Sequence, residues 1–176
     1  ERIRQVCEKL TQRRRYDPAM PVPAMDRALA LIRGRLPAAA SALEQALVDE
    51  GLTLVGMRLE SVLVGARLLQ RTAGFVLVGV EPGATRSARL AVRPADARLV
   101  PAIADAARKE VHFRGLTTVE RVEQSVAHRF GGRLASELVV ETIQLLDGFQ
   151  WVDRSGGWFH LAPLGRHGLP KTIDKV

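Results

Sequence analysis

One run of residue types occurs twice in this chain, in the same order, and it restricts the possible folds more than any other feature. Pro23-Ala24-Met25-Asp26-Arg27-Ala28 is echoed by Pro101-Ala102-Ile103-Ala104-Asp105-Ala106. Ala42-Leu43-Glu44-Gln45-Ala46-Leu47 is echoed by Arg121-Val122-Glu123-Gln124-Ser125-Val126. Leu68-Leu69 followed by Gly74-Phe75-Val76-Leu77-Val78 is echoed by Leu145-Leu146 followed by Gly148-Phe149-Gln150-Trp151-Val152. Three ordered echoes at nearly constant spacing imply a duplicated unit. Each copy reads as helix, second helix, third apolar helix and β-hairpin. In the first copy the helices are expected at 24–33, 38–49 and 57–70, with strands near 74–80 and 87–92. In the second the helices are expected at 98–112, 117–128 and 134–146, with Thr117 or Thr118 as an N-cap. Residues 93–97 link the copies.

The second hairpin is the sharper of the two. Asp153-Arg154-Ser155-Gly156-Gly157 has turn chemistry, because Asp and Ser bond to nearby backbone and glycine accepts φ > 0. Phe149 and Trp151 share a face of the first strand, and Trp158 and Phe159 open the second. The expectation is that both tryptophans are buried against the helices of the second copy. The first hairpin turn is Glu81-Pro82-Gly83-Ala84-Thr85-Arg86, where Pro-Gly is the turn pair.

With 176 residues and 47% apolar composition, the chain is long enough for one or two real cores. No apolar run reaches the roughly 20 residues needed to cross a bilayer, and the charged N-terminus is not a secretory signal. Cys7 is the single cysteine, so neither an intrachain disulfide nor a Cys-rich zinc site is expected, and a cytoplasmic location follows. The opening on Glu1 rather than Met suits a piece of a longer polypeptide. The net charge of +7 is almost entirely arginine, the lysines being Lys9, Lys109, Lys171 and Lys175. An excess of this kind favours an anionic partner such as nucleic acid.

Residues 1–15 read as a helix with Ile3, Val6, Cys7 and Leu10 on one stripe and Arg13, Arg14 and Arg15 at a cationic end. Pro18, Pro21 and Pro23 stiffen the linker that follows. Glu1-Arg2-Ile3-Arg4-Gln5-Val6, with Lys9 beyond it, resembles the latter part of the recognition helix in region 4 of bacterial primary sigma factors. That resemblance implies base-edge contacts to a promoter element by Glu1 and Gln5, and phosphate contacts by Arg2 and Arg4. The first helix of such a helix-turn-helix would lie upstream of Glu1, so this stretch by itself should not read the element. The aromatic hairpin and the basic tail from Pro163 to Val176 resemble bacterial winged helices of the HARE-HTH type, with Val152 and His167 departing from that pattern. The resemblance implies a sigma region 4-like DNA-binding protein with C-terminal tandem winged-helix domains.

The fold class expected is mainly α with small β-hairpins (α+β), as tandem winged-helix domains behind a basic helix. The divisions expected are 1–22, the basic helix and linker, 23–95, the first winged helix, and 96–176, the second with its tail. In the first unit Leu59, Val62, Leu63, Ala66 and Leu69 form the core stripe of the third helix. Arg67 and Arg71 then share its outer face, with Arg58 near its start and Arg86 and Arg89 flanking the wing. The third helix of the second unit instead shows Glu137, Glu141 and Gln144, a face that phosphates would repel. Contact to DNA there would fall to Arg154 and to Arg166, Lys171 and Lys175. The four histidines, His112, His128, His160 and His167, are scattered, and no nucleophile, phosphate-loop or dinucleotide motif occurs. No catalytic residue, cofactor or metal is therefore expected. The function expected is binding of duplex DNA by a bacterial transcription-factor-type protein. The alternative is a protein-interaction module that docks on RNA polymerase or forms a homodimer. An accessory subunit of an enzyme encoded elsewhere is a third. An arginine stripe across third helix and wing would favour DNA, and a bare apolar patch would favour protein.

Overall fold

The computed structural model of the chain describes residues 5, 8–9, 21–81, 88–132 and 134–162. Among these residues the fold is mixed: six helices with two small three-stranded antiparallel sheets. The first repeat runs α1 (Pro23–Gly34), β1 (Ala38–Ala39), α2 (Ala40–Asp49), α3 (Leu59–Leu68), β2 (Val76–Gly79) and β3 (Arg89–Val92). A short 3-10 turn, Pro94–Asp96, leads into the second. The second repeat runs α4 (Leu99–Arg114), β4 (Thr117–Thr118), α5 (Val119–Phe130), α6 (Ser136–Gln144), β5 (Phe149–Asp153) and β6 (Trp158–Leu161). In each sheet the last strand lies in the middle, giving β1-β3-β2 and β4-β6-β5.

Local chemistry accounts for the helix ends. Pro23 opens α1 in the first turn, where a missing N–H costs nothing, and the Asp26 carboxylate accepts the Val22 N–H at 3.4 Å. The Thr118 hydroxyl accepts the Arg121 N–H at 3.3 Å and caps α5, which ends on Gly131 at φ +72°. The expected helix starts at 38 and 117 were too early. Ala38 and Ala39 pair with Ala91 and Leu90, and Thr117 and Thr118 pair with Phe159 and Trp158. Two residues of strand carry no period that a sequence can show.

The duplication extends to single backbone positions. Gly74 (φ +75°) stands two residues before β2 and Gly148 (φ +74°) one residue before β5, each followed by a phenylalanine. A Cβ at Gly148 would stand 2.4 Å from the Ala162 carbonyl oxygen, so both conformation and space require glycine there.

The packing crosses the boundary that separates the repeats in sequence. One face of the first sheet, with Ala91 and Leu77, meets Leu29, Ile32, Leu43, Leu59 and Val62 of its own repeat. The other face, with Leu90, Val92, Val76 and Val78, joins Ile103, Val122, Ile143 and Phe159 of the second repeat in one apolar cluster. The Arg108 guanidinium, on α4, also donates to the Glu81 carboxylate just beyond β2. Both faces of β2 are thus covered, which is why Val76-Leu77-Val78 is unbroken by polar residues.

Among the described residues the second sheet is covered on one face. Trp151 stands opposite Phe159, and these rings meet Phe149 on the inner side. Trp158 precedes Phe159 and so points to the other side: Phe159 is wholly buried, whereas Trp158 is 37% exposed. The expectation that both tryptophans are buried is therefore corrected. Trp151 is half-buried, and the large ring at the centre of the core is Phe159.

Candidate functional site

The described residues expected to meet DNA are Gln5, Arg58, Arg67, Arg71, Arg89 and Arg154. Helix α3 buries Leu59, Val62 and Ala66, as its spacing implies, with Leu63 and Leu69 half-buried. Arg58 is exposed at the N-cap position and Arg67 is exposed in the last turn. Arg71 does not share their face. The Gln70 N–H bonds back to the Arg67 carbonyl at 3.0 Å and the Arg71 N–H to the Ala66 carbonyl at 2.7 Å, with Gln70 at φ +54°. That closing motif reverses the chain. It carries Arg71 across to α1, where its guanidinium lies 3.0 Å from the Asp26 carboxylate. Arg89 is likewise engaged, 2.7 Å from Glu60 of α3.

The left-handed Gln70 gives a direct test of this geometry. Gln70→Gly removes a Cβ from a conformation that disfavours it and should stabilise the fold by roughly 0.5–1 kcal/mol in a denaturant titration. A loss of stability would mean that the helix does not close this way.

Arg154 is exposed at the tip of the second hairpin. Its turn is tied by Asp153, whose carboxylate accepts the Ser155 hydroxyl at 2.6 Å and the Ser155 N–H at 2.9 Å. The Ser155 hydroxyl bond, followed by the Gly156 N–H, holds the Asp153 carboxyl below its ordinary pKa. Gln5 is helical and exposed. Arg2, Arg4, Arg13, Arg14, Arg15, Arg86, Lys171 and Lys175 lie outside the described residues, as does Arg133.

Exposed apolar side chains also occur on α3 and in the loop before it. On its outer side Val64 is 58% exposed and Leu68 is also exposed, beside Ser61 and Arg67. The loop leading into the helix displays Leu54 and Val55 at 77% and 87% exposure, with Met57 following. The sequence pattern hid these residues. Val64 and Leu68 form an i, i+4 pair off the core stripe, and Leu54-Val55 looks like any short apolar pair between helices. On α6, Glu137 and Gln144 are exposed and Glu141 is half-buried, the carboxylate face its spacing implies.

Charge is segregated along the chain. Residues 21–162 hold 17 basic and 15 acidic side chains. Residues 1–20 hold 6 basic and 3 acidic, and residues 163–176 hold 3 basic and 1 acidic. The folded repeats are therefore close to neutral, and the two flanks supply most of the +7.

His112 and His128 are exposed near helix ends, and the His160 ring meets the Gln150 side-chain oxygen at 3.1 Å. Among the described residues no three His, Cys, Asp or Glu side chains gather as a metal site would need. No described helix is long and apolar enough to cross a membrane. No family model, curated protein or solved structure matches the chain.

Proposed function

We propose that this chain is a tandem winged-helix protein of a bacterial transcription complex, and that its first repeat docks on a protein partner. The order helix, strand, helix, helix, strand, strand, with the last strand central, is the winged-helix arrangement and supports that part of the reading. One observation carries the docking. The outer side of α3 and the loop before it display Leu54, Val55, Val64 and Leu68, where a groove reader needs donors and positive charge. Val64 and Leu68, one turn apart on a helix, and Leu54 and Val55 in the loop that leads into it are residue types that a protein-contact surface uses. RNA polymerase is the partner that the sigma-like flank suggests, with a second copy of the chain as the other choice. Duplex DNA remains a ligand of the basic flanks, through Arg2, Arg4, Gln5, Arg13, Arg14, Arg15, Lys171 and Lys175. Exposed Arg58, Arg67 and Arg154 favour a second reading, in which the repeats themselves touch phosphates.

The test uses the whole chain against purified bacterial RNA polymerase and, separately, against a DNA duplex at several salt concentrations. Val64→Glu should weaken polymerase binding by about tenfold or more, equivalent to roughly 1.4 kcal/mol, and leave duplex affinity unchanged. Arg58→Ala with Arg67→Ala should leave the slope of log K against log salt unaltered. A fall of roughly 0.9 in that slope for each arginine removed, with no effect of Val64→Glu, would replace docking by direct readout.

A further inference from the structure

The two sheets are equivalent strand for strand, yet among the described residues only the first has its outer face covered. That face carries Val76, Val78, Leu90 and Val92, and α4 packs on it. Strand pairing fixes the counterparts. Val76 opposite Val92 corresponds to Gln150 opposite His160, and Leu90 opposite Ala39 corresponds to Trp158 opposite Thr118. Val78 corresponds to Val152 and Asp153, where the register of β5 shifts. Val152 and Trp158 are exposed, while Gln150 and His160 bond to each other. The covered sheet also shows how its helix is anchored, because Arg108 of α4 pairs with Glu81, a carboxylate just beyond β2. The second hairpin keeps a carboxylate at the same end. A Cβ on Gly156 would stand 2.6 Å from an Asp153 carboxylate oxygen and 3.0 Å from Trp158 Cδ1, so that carboxylate lies beside the indole. Asp153 has no cationic partner among the described residues.

What covers the first sheet is a helix with apolar residues and an arginine, and α3 shows the same combination to solvent. Val64 and Leu68 stand one turn apart on its exposed side with Arg67 beside them. No other described helix has two exposed large apolar side chains at that spacing. Arg67 has no acidic partner among the described residues. Both surfaces are open in the folded chain, so they do not cover each other within it. We propose that α3 of one copy docks on the outer face of the second sheet of another copy. Val64 and Leu68 lie against Trp158 and Val152, and Arg67 pairs with Asp153. The mutual bond of Gln150 and His160 lets that part of the face be covered without stranding a polar group. The contact joins unlike surfaces, and each copy carries one of each. It names a second copy as the partner of α3, and so rests on the proposed docking role of that helix.

The experiment is analytical ultracentrifugation of the whole chain, alone and as a mixture of two variants. The parent should self-associate at concentrations below about 1 mM. Val64→Glu removes the helix surface and Trp158→Glu the sheet surface, and each should weaken self-association by about tenfold or more. Mixed together, these two variants should form a heterodimer, because each keeps the surface that the other has lost. Arg67→Glu should also weaken association, and Asp153→Asn should abolish that difference. A parent that stays monomeric overturns the proposal. So does a parent that associates while the mixture does not, since helix would then meet helix or sheet meet sheet. Val152→Glu takes the place of Trp158→Glu if that variant fails to fold. Binding to RNA polymerase separates this assignment from the docking role itself. If Val64→Glu weakens polymerase binding but the mixture forms no complex, the second copy alone is ruled out. If Val64→Glu affects neither partner, the docking role falls with it.

Discussion

Phe159→Ala should destabilise the fold by about 3–5 kcal/mol, the cost of emptying an aromatic site in a closed core. The ring has no exposed surface, lies edge-on or tilted to Trp151 and Phe149, and belongs to the cluster that both repeats share. Set against a total stability of about 5–15 kcal/mol, the change removes a large share. The melting temperature should fall by roughly 6–20 °C for a chain of this size. Trp158→Ala, one residue earlier and on the opposite face, should cost far less in the same melt. Equal losses at the two positions would place both rings in one core and contradict the register of β6.

Leu90→Ala should cost about 2–5 kcal/mol, and its effect should not stay within the first repeat. Leu90 sits on β3 but is fully buried among residues of α4, α5 and α6. Amide hydrogen exchange should therefore quicken in α4 as well as in β2 and β3. Leu43→Ala is the comparison, because Leu43 is buried just as deeply but within the first repeat's own cluster. Its loss should fall chiefly on α1, α2 and α3. Unchanged exchange in α4 for Leu90→Ala would mean that the two repeats fold as separately cored bodies.

The helices, both hairpins and the duplication were legible in the sequence, because each leaves a local signature. Leu59, Val62 and Ala66 recur at helical spacing, Pro23 and Thr118 mark helix starts, and Gly74-Phe75 and Gly148-Phe149 open the two hairpin echoes at matching places. Other features depend on what each residue meets across the fold. Nothing near Ala38 or Thr117 announces a two-residue strand, since its partners lie on β3 and β6, far along the chain. Arg71 continues the i, i+4 pattern of Arg67, and only the left-handed Gln70 directs it to Asp26 instead.

The same division holds for the surfaces. Composition determined that the chain is basic, and its distribution along the sequence placed that charge mainly at the two ends. Composition was silent on Val64 and Leu68 being left in water, because an apolar residue reads the same whether a neighbour covers it or not. Helical and hairpin periodicity follow from bonds within a few residues, and so the sequence by itself determined the helices and hairpins of the repeat, though not its two-residue strands. Burial is set by whatever arrives from elsewhere in the chain. Only the tertiary structure decided that the first sheet is covered on both faces, that Trp158 lies outside the core, and that the third helix presents Val64 and Leu68 beside Arg67.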